Sequence, residues 1–157
     1  MPDWVVHVAV AWTLCRLLRF KYPQFDTSNT ILVMVGALMP DVVKVVMLFN
    51  LLGHDWWNYI YALHQPLGSF LVAGLASLFF ENEKKTFLFF GLGILTHFAL
   101  DLLLLQVSGG IYLLYPLSWM AFHLDVVAND DYLITLVALI TALVVYMVGR
   151  WLEGKDT

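Results

Sequence analysis

The sequence predicts an all-α, polytopic transmembrane helical bundle: one integral-membrane domain over residues 1–157, with about five spans. Three observations predict it. Of the 157 residues, 61% are hydrophobic and only 13% charged, whereas a soluble domain runs at roughly 45–50% apolar and about 25% charged. Mean hydropathy is +0.80. Apolar runs near bilayer length recur along the chain, and the basic residues follow alternate runs, as the positive-inside rule requires.

The runs are taken in order. The first, residues 4–20, is apolar apart from His7, Thr13, Arg16 and Arg19. It is the weakest, because a crossing helix needs about 20 residues. Residues 21–29 read as a loop. The second run, residues 30–52, is interrupted by Pro40-Asp41. Residues 53–58 form a turn whose Trp56 and Trp57 suit the interfacial aromatic belt. The third run covers residues 59–80, and residues 81–85 are a short charged loop. The fourth covers residues 86–107. Residues 108–131 are a longer connection with Gly109-Gly110, Pro116 and His123, and the fifth run covers residues 132–151.

Arg16, Arg19 and Lys21 follow the first run, Lys84 and Lys85 the third, and Arg150 and Lys155 the fifth. Five crossings put all three groups on one side, the cytoplasm. The expectation is a multi-pass cell (inner) membrane protein with its N-terminus outside and its C-terminus cytoplasmic. The first run lacks a preceding basic region, so it does not read as a secretory signal.

Several function classes are excluded. A net charge of −4 offers no basic patch, so no nucleic-acid partner is expected. The single Cys15 rules out an internal disulfide and a cysteine-based zinc cluster, and reads as packing. There is no GxSxG elbow, no phosphate-binding P-loop and no Cys–His nucleophile pair. Gly91-Leu-Gly93 is not a nucleotide loop; glycine there permits close helix approach.

What remains is a set of polar groups in apolar runs. His97 and Asp101 stand four apart, on one face of a helix. An imidazole and a carboxylate in hydrocarbon are costly unless paired or lining a polar cavity. The pair therefore reads as half of a metal site, or as a His–Asp bond holding helices together. Asp41 follows Pro40 inside a run, where it reads as a carboxylate ligand or general base, or as a partner of Lys44. Pro40 frees an upstream carbonyl. His64 sits before Pro66 near the outer start of the third run, with Gln65 placed to orient a ligand. His7 lies near the outer end of the first run. The topology puts His7, Asp41, His64, His97 and Asp101, from four runs, in one depth band in the outer half of the membrane. Scattered structural histidines have no reason to converge in that way. His54 reads as a solvated-loop residue, and His123 lies in the connection expected to cover the pocket.

These residues resemble a known family, the YdjM-type LexA-binding, inner-membrane-associated, metal-dependent hydrolases. The resemblance rests on His7-Val-Ala-Val-Ala11, Leu38-Met-Pro40-Asp41, Leu63-His64-Gln65-Pro66, His97-Phe-Ala-Leu-Asp101 and Gly110-Ile-Tyr-Leu-Leu-Tyr115-Pro116-Leu-Ser118, in that order. It departs at Val43, where the family carries a second acid, at Leu63-His64-Gln65, where the family has Thr-His-Ser, and in lacking a His-Arg pair before that motif. The order of the metal-binding residue types is also similar to that of zinc-dependent phospholipases C, without their further His-x-x-x-Glu.

The resemblance implies a membrane-embedded hydrolase that uses a divalent metal, with zinc the expected ion. His7, Asp41, His64, His97 and Asp101 are then ligands, and Asp41 or Asp101 is the catalytic base. Gln65, Tyr115, Ser118 and His123 line the substrate pocket. The expected partners are membrane lipids and a lipid or other phosphoester substrate. The alternative is a non-catalytic metal-binding protein, or a small ion or proton transporter, that uses the same cluster.

Overall fold

The computed structural model describes residues 4–48, 62–103, 110–126 and 132–154, with side chains up to residue 42 in the first of these ranges. The aromatic turn at 53–58, His54, Lys155 and the start of the third run lie outside the described residues, as do the side chains of Val43 and Lys44. The fold is all-helical: α1 (Trp4–Arg19), α2 (Thr27–Leu48), α3 (Pro66–Ser77), α4 (Glu83–Leu103) and α5 (Tyr132–Glu153). Two of these, α4 and α5, are long and apolar enough to cross a membrane.

The helix ends follow local chemistry that the apolar runs did not reveal. The α2 helix starts at Thr27, three residues before the expected run, because Asp26 caps it. Its Oδ1 accepts the Asn29 N–H at 2.8 Å, one of the donors a helix start leaves open. Asn82 does the same for α4, accepting the Lys85 N–H at 3.1 Å. The residues read as a charged loop, Glu83 to Lys85, thereby become the first turn of α4.

Two prolines behave in opposite ways. Pro40 was expected to interrupt the second run, yet α2 continues through it to Leu48. Pro66 does break the chain. Residues 62–64 are helical, Gln65 is extended at φ −68° and ψ 158°, and α3 restarts with Pro66 in its first turn. Proline disfavours the helical region for the residue before it and suits a helix start. The third run is therefore bent, and α3 itself has 12 residues.

The α2–α4 pair forms the largest helix contact; α1 lies against α2 and α5, and α3 lies against α4. Glycine makes the central crossing possible. A Cβ on Gly93 would run into the Val33 carbonyl and reach within 2.5 Å of the Ala37 nitrogen, and one on Gly36 would run into the Phe90 carbonyl. The two backbones touch, an approach any side chain would prevent. Around the crossing, Ala11, Cys15, Phe25, Val33, Ala37 and Phe89 form one apolar cluster. Beside it, Ala73, Phe90, Ile94, Phe98 and Ile111 form a second. Cys15 is wholly buried there as packing.

Among the described residues, Arg16, Arg19, Lys21, Lys84, Lys85 and Arg150 gather at one end. Arg16 lies 3.5 Å from Glu153, which brings the C-termini of α1 and α5 together. The Phe25 and Phe89 rings meet edge to face at 5.6 Å, which brings the start of α4 to the same end. Residues 110–126 close the other end. Ile111 and Phe122 exchange both backbone hydrogen bonds, and the N–H groups of Leu124 and Val126 donate to the Leu102 and Leu103 carbonyls at 2.8 and 2.9 Å. Those are carbonyls that a helix C-terminus leaves open.

Candidate metal centre

Four segments bring one side chain or more to a common buried place. The first turn of α1 supplies His7, the stretch just past Pro40 supplies Asp41, the turn before α3 supplies His64, and α4 supplies His97 and Asp101. All five are buried, and His97 is 0% exposed. The α2–α4 crossing positions the centre, since Gly93 lies one turn before His97 and Gly36 lies next to Ala37.

The distances are short throughout. His64 Nε2 lies 3.2 Å from Asp41 Oδ1 and 3.6 Å from Asp101 Oδ2. His97 Nε2 lies 3.2 Å from Asp101 Oδ2 and 3.8 Å from Asp41 Oδ1. His7 Nε2 lies 3.6 Å from Asp101 Oδ1. The His7 and His97 rings stack, with centroids 3.9 Å apart and planes 17° from parallel. Among the described residues, two groups of donors could hold a metal ion: His7, His97 and Asp101, and Asp41, His64 and His97.

His97 provides the sharpest test of fit. Its Nδ1 lies 2.8 Å from the Ala37 carbonyl oxygen. A carbonyl only accepts, so Nδ1 carries the hydrogen and donates. Nε2 then faces two carboxylates, and in the neutral ring it faces them with a lone pair. Lone pair against carboxylate is repulsive, and a cation between them reverses the sign. A histidine whose other nitrogen donates to a backbone carbonyl is the usual arrangement behind a metal-bound imidazole. The donor set of imidazoles and carboxylates suits a divalent ion.

The remaining expected residues make the following contacts. Gln65 is 1% exposed, but its Oε1 accepts the Tyr112 N–H at 2.9 Å, tying residues 110–126 to the turn that carries His64. Tyr115 meets the Trp119 ring edge to face at 5.1 Å. Ser118 Oγ accepts the Met120 N–H at 3.2 Å. His123 pairs with Asp125 at 2.7 Å, and its side chain is 45% exposed. These ring, hydrogen-bond and ion-pair partners lie within the connection, and Tyr115 also lines a cavity with Pro66, Leu67 and Phe70 of α3. The carbonyl that Pro40 frees belongs to Gly36, four residues back; the one His97 uses is its neighbour, Ala37. Sequence reading did not single out Gly36 or Ala37. The glycine four residues before His97 was the available signal.

A family model described as YdjM inner membrane protein matches residues 1–155. No curated protein matches the chain, and no solved structure does.

Proposed function

The chain belongs to the YdjM inner membrane protein family, and from that premise we propose that it is a membrane-embedded, metal-dependent hydrolase. The carrying observation is the convergence of three histidines and two aspartates, all buried, at separations of 3.2–3.8 Å. Buried charge on that scale is costly unless paired or neutralised, and a divalent cation neutralises both carboxylates.

His7, His64 and His97 would hold an ion through their imidazole nitrogens, with His97 oriented for it by the Ala37 carbonyl. Asp41 and Asp101 supply negative charge, and the one that does not hold the ion accepts a proton from the attacking water at its carboxylate oxygen. A divalent metal, with zinc the natural choice for this donor set, supplies an activated water and polarises the scissile group. Burial of the whole cluster keeps bulk water out. The substrate we propose is a lipid or other phosphoester, reaching the pocket from the lipid or from the outer face. Tyr115 and Ser118 lie on the segment that closes that end. The remaining crossings are assigned to α1, α2 and the bent third run, with the N-terminus outside and the basic end in the cytoplasm.

The test joins metal analysis to turnover. Detergent-purified wild type is expected to carry a divalent ion, and both His97→Ala and the double variant Asp41→Ala/Asp101→Ala are expected to lose it. Wild type is expected to cleave phospholipid or a phosphodiester ester, and the variants are not. A protein that holds metal yet leaves every such ester intact would instead be the non-catalytic metal binder. A wild type without metal would defeat the reading.

A further inference from the structure

The five donors are not equally enclosed. The His64 side chain is 11% exposed, whereas those of His7, Asp41, His97 and Asp101 are 0–5% exposed. The His64 side is therefore where the cluster comes nearest to the surface. The turn that carries His64 is held against the first turn of α3. A Cβ on Gly68 would run into the Ala62 carbonyl, and Ser69 Oγ donates to the His64 carbonyl at 3.3 Å.

That same turn of α3 forms one wall of a cavity. Pro66, Leu67 and Phe70 face residues 113–117 of the connection across about 500 Å³, within the usual range of ligand pockets, about 300–1,000 Å³. The lining side chains are apolar but for that of Tyr115. Both walls are fixed to the metal centre. The Gln65–Tyr112 bond ties the connection to the residue next to His64. Phe70 packs on the apolar cluster that contains Phe98, and the Phe98 ring meets His64 edge to face at 5.9 Å.

The surface around the cavity is apolar as well. Leu67, Leu71 and Leu75, spaced by four along one face of α3, are all exposed. Leu113 and Leu114 are exposed on the other wall, and Leu117 is 93% exposed. Residues 110–124 contain no Asp, Glu, Lys or Arg, and Tyr112 and Tyr115 both meet the Trp119 ring edge to face. In an inner membrane protein, exposed apolar surface of this kind faces lipid, and Tyr and Trp anchor at the interface. The cavity therefore continues the lipid-facing surface inward, and lipid chains are what lies at its mouth.

We propose that this cavity seats an acyl chain of a long-chain lipid phosphoester, which enters from the membrane between α3 and residues 113–117 and brings its phosphoester to the His64 side of the centre. The proposal rests on the hydrolase reading above and adds the part of the substrate that is recognised. Leu67 and Leu113 set specificity for the chain. A hydrocarbon tail needs no hydrogen-bond partner, which matches the apolar walls. The connection is then a wall within the membrane interface and not a water-covered lid.

The experiment uses the full chain in vesicles of phosphatidylethanolamine and phosphatidylglycerol, with some of the phosphatidylglycerol carrying a diazirine in one acyl chain. After irradiation and digestion, adducts are expected on residues 66–70 and 113–117 in excess over the exposed face of α5, which reports random lipid contact. Equal yields on the cavity and on α5 would overturn the proposal, and that comparison needs no variant to fold. Leu67→Trp and Leu113→Trp fill the cavity. Each is expected to retain its metal and to lose cavity adducts by about tenfold, the low end of discrimination in an apolar pocket. Leu75→Trp, on the same helix but outside the cavity, is expected to behave as wild type. The ratio of kcat/KM for a long-chain phospholipid to that for a water-soluble phosphodiester is expected to fall by about tenfold in Leu67→Trp. An unchanged ratio would also overturn the proposal. Leu117→Cys, oxidised in the membrane, is expected to stay monomeric; a quantitative disulfide-linked dimer would put a second copy on this face instead. A wild type that holds no metal, or cleaves no ester, defeats the hydrolase reading. The adduct pattern still decides the acyl seat in that case, so the two failures are distinguishable.

Discussion

His97 divides its two nitrogens between backbone and cluster, and that division is invisible in a sequence. The sequence reading reached His97 and Asp101 through their spacing of four and their cost in an apolar run. It could not show that the acceptor behind His97 is a backbone carbonyl sixty residues away. Gln65 adds a second such bond: read from the sequence as placed to orient a ligand, it accepts the Tyr112 N–H through Oε1 from the turn that carries His64. Gln65→Met, apolar and of similar length, removes that acceptor from a part-buried donor. It is expected to destabilise the protein by about 1–3 kcal/mol, measured as a lowered thermal midpoint in detergent. His123→Ala, at an exposed ion pair of the kind that contributes little, is expected to leave the midpoint unchanged in the same assay.

Among the elements, the runs predicted the helices, and local chemistry then moved their ends. Apolar periodicity finds a helix, but capping sets where it starts, so Asp26 and Asn82 lengthened α2 and α4 at their N-termini. Pro40 and Pro66 look alike in the sequence. Only the fold separates a proline carried inside a helix from one that opens a new one. The α2–α4 crossing gives a paired prediction. Gly93→Ala forces a methyl against the Val33 carbonyl and the Ala37 nitrogen, which is overpacking worth about 1–3 kcal/mol or more. Gly74→Ala meets only the Phe87 ring, at 3.9 Å, which is ordinary contact. It is expected to be neutral or to stabilise α3 by up to about 1 kcal/mol, since alanine favours helix over glycine. Thermal midpoints of the two variants, read side by side, check both signs.

Over the whole molecule, the basic end and the cluster are well separated. His7 lies nine residues before Arg16 along α1, and His97 twelve residues after Lys85 along α4. At 1.5 Å per residue those are axial separations of about 14 and about 18 Å, so the centre sits away from the charged end. The charge pattern predicts that separation, because the basic groups at 16–21 and 84–85 flank the runs that carry His7 and His97 at a distance from those donors. Reporter fusions after residues 21, 83 and 154 are expected to report the cytoplasm, and a fusion after residue 118 the outside. A signal of the opposite sense at residue 118 would invert the proposed orientation. The metal reading also predicts a stability effect. A chelator that strips the ion is expected to lower the thermal midpoint, and added Zn²⁺ to restore it, by mass action on the folded state.

The donors of the centre are spread along the chain from residue 7 to residue 101, and this has a consequence for synthesis. Asp41 leaves the ribosome more than fifty residues before His97 does. A carboxylate at the middle of an isolated helix costs about 2.5–3.5 kcal/mol to insert. On the proposed topology, α2 is a poor guest in the bilayer until α4 emerges, better held at the insertion machinery than released to lipid. A nascent chain arrested before residue 97 should therefore crosslink to the translocon through α2, and one arrested well past residue 126 should not. The centre would then act as the latch that completes insertion.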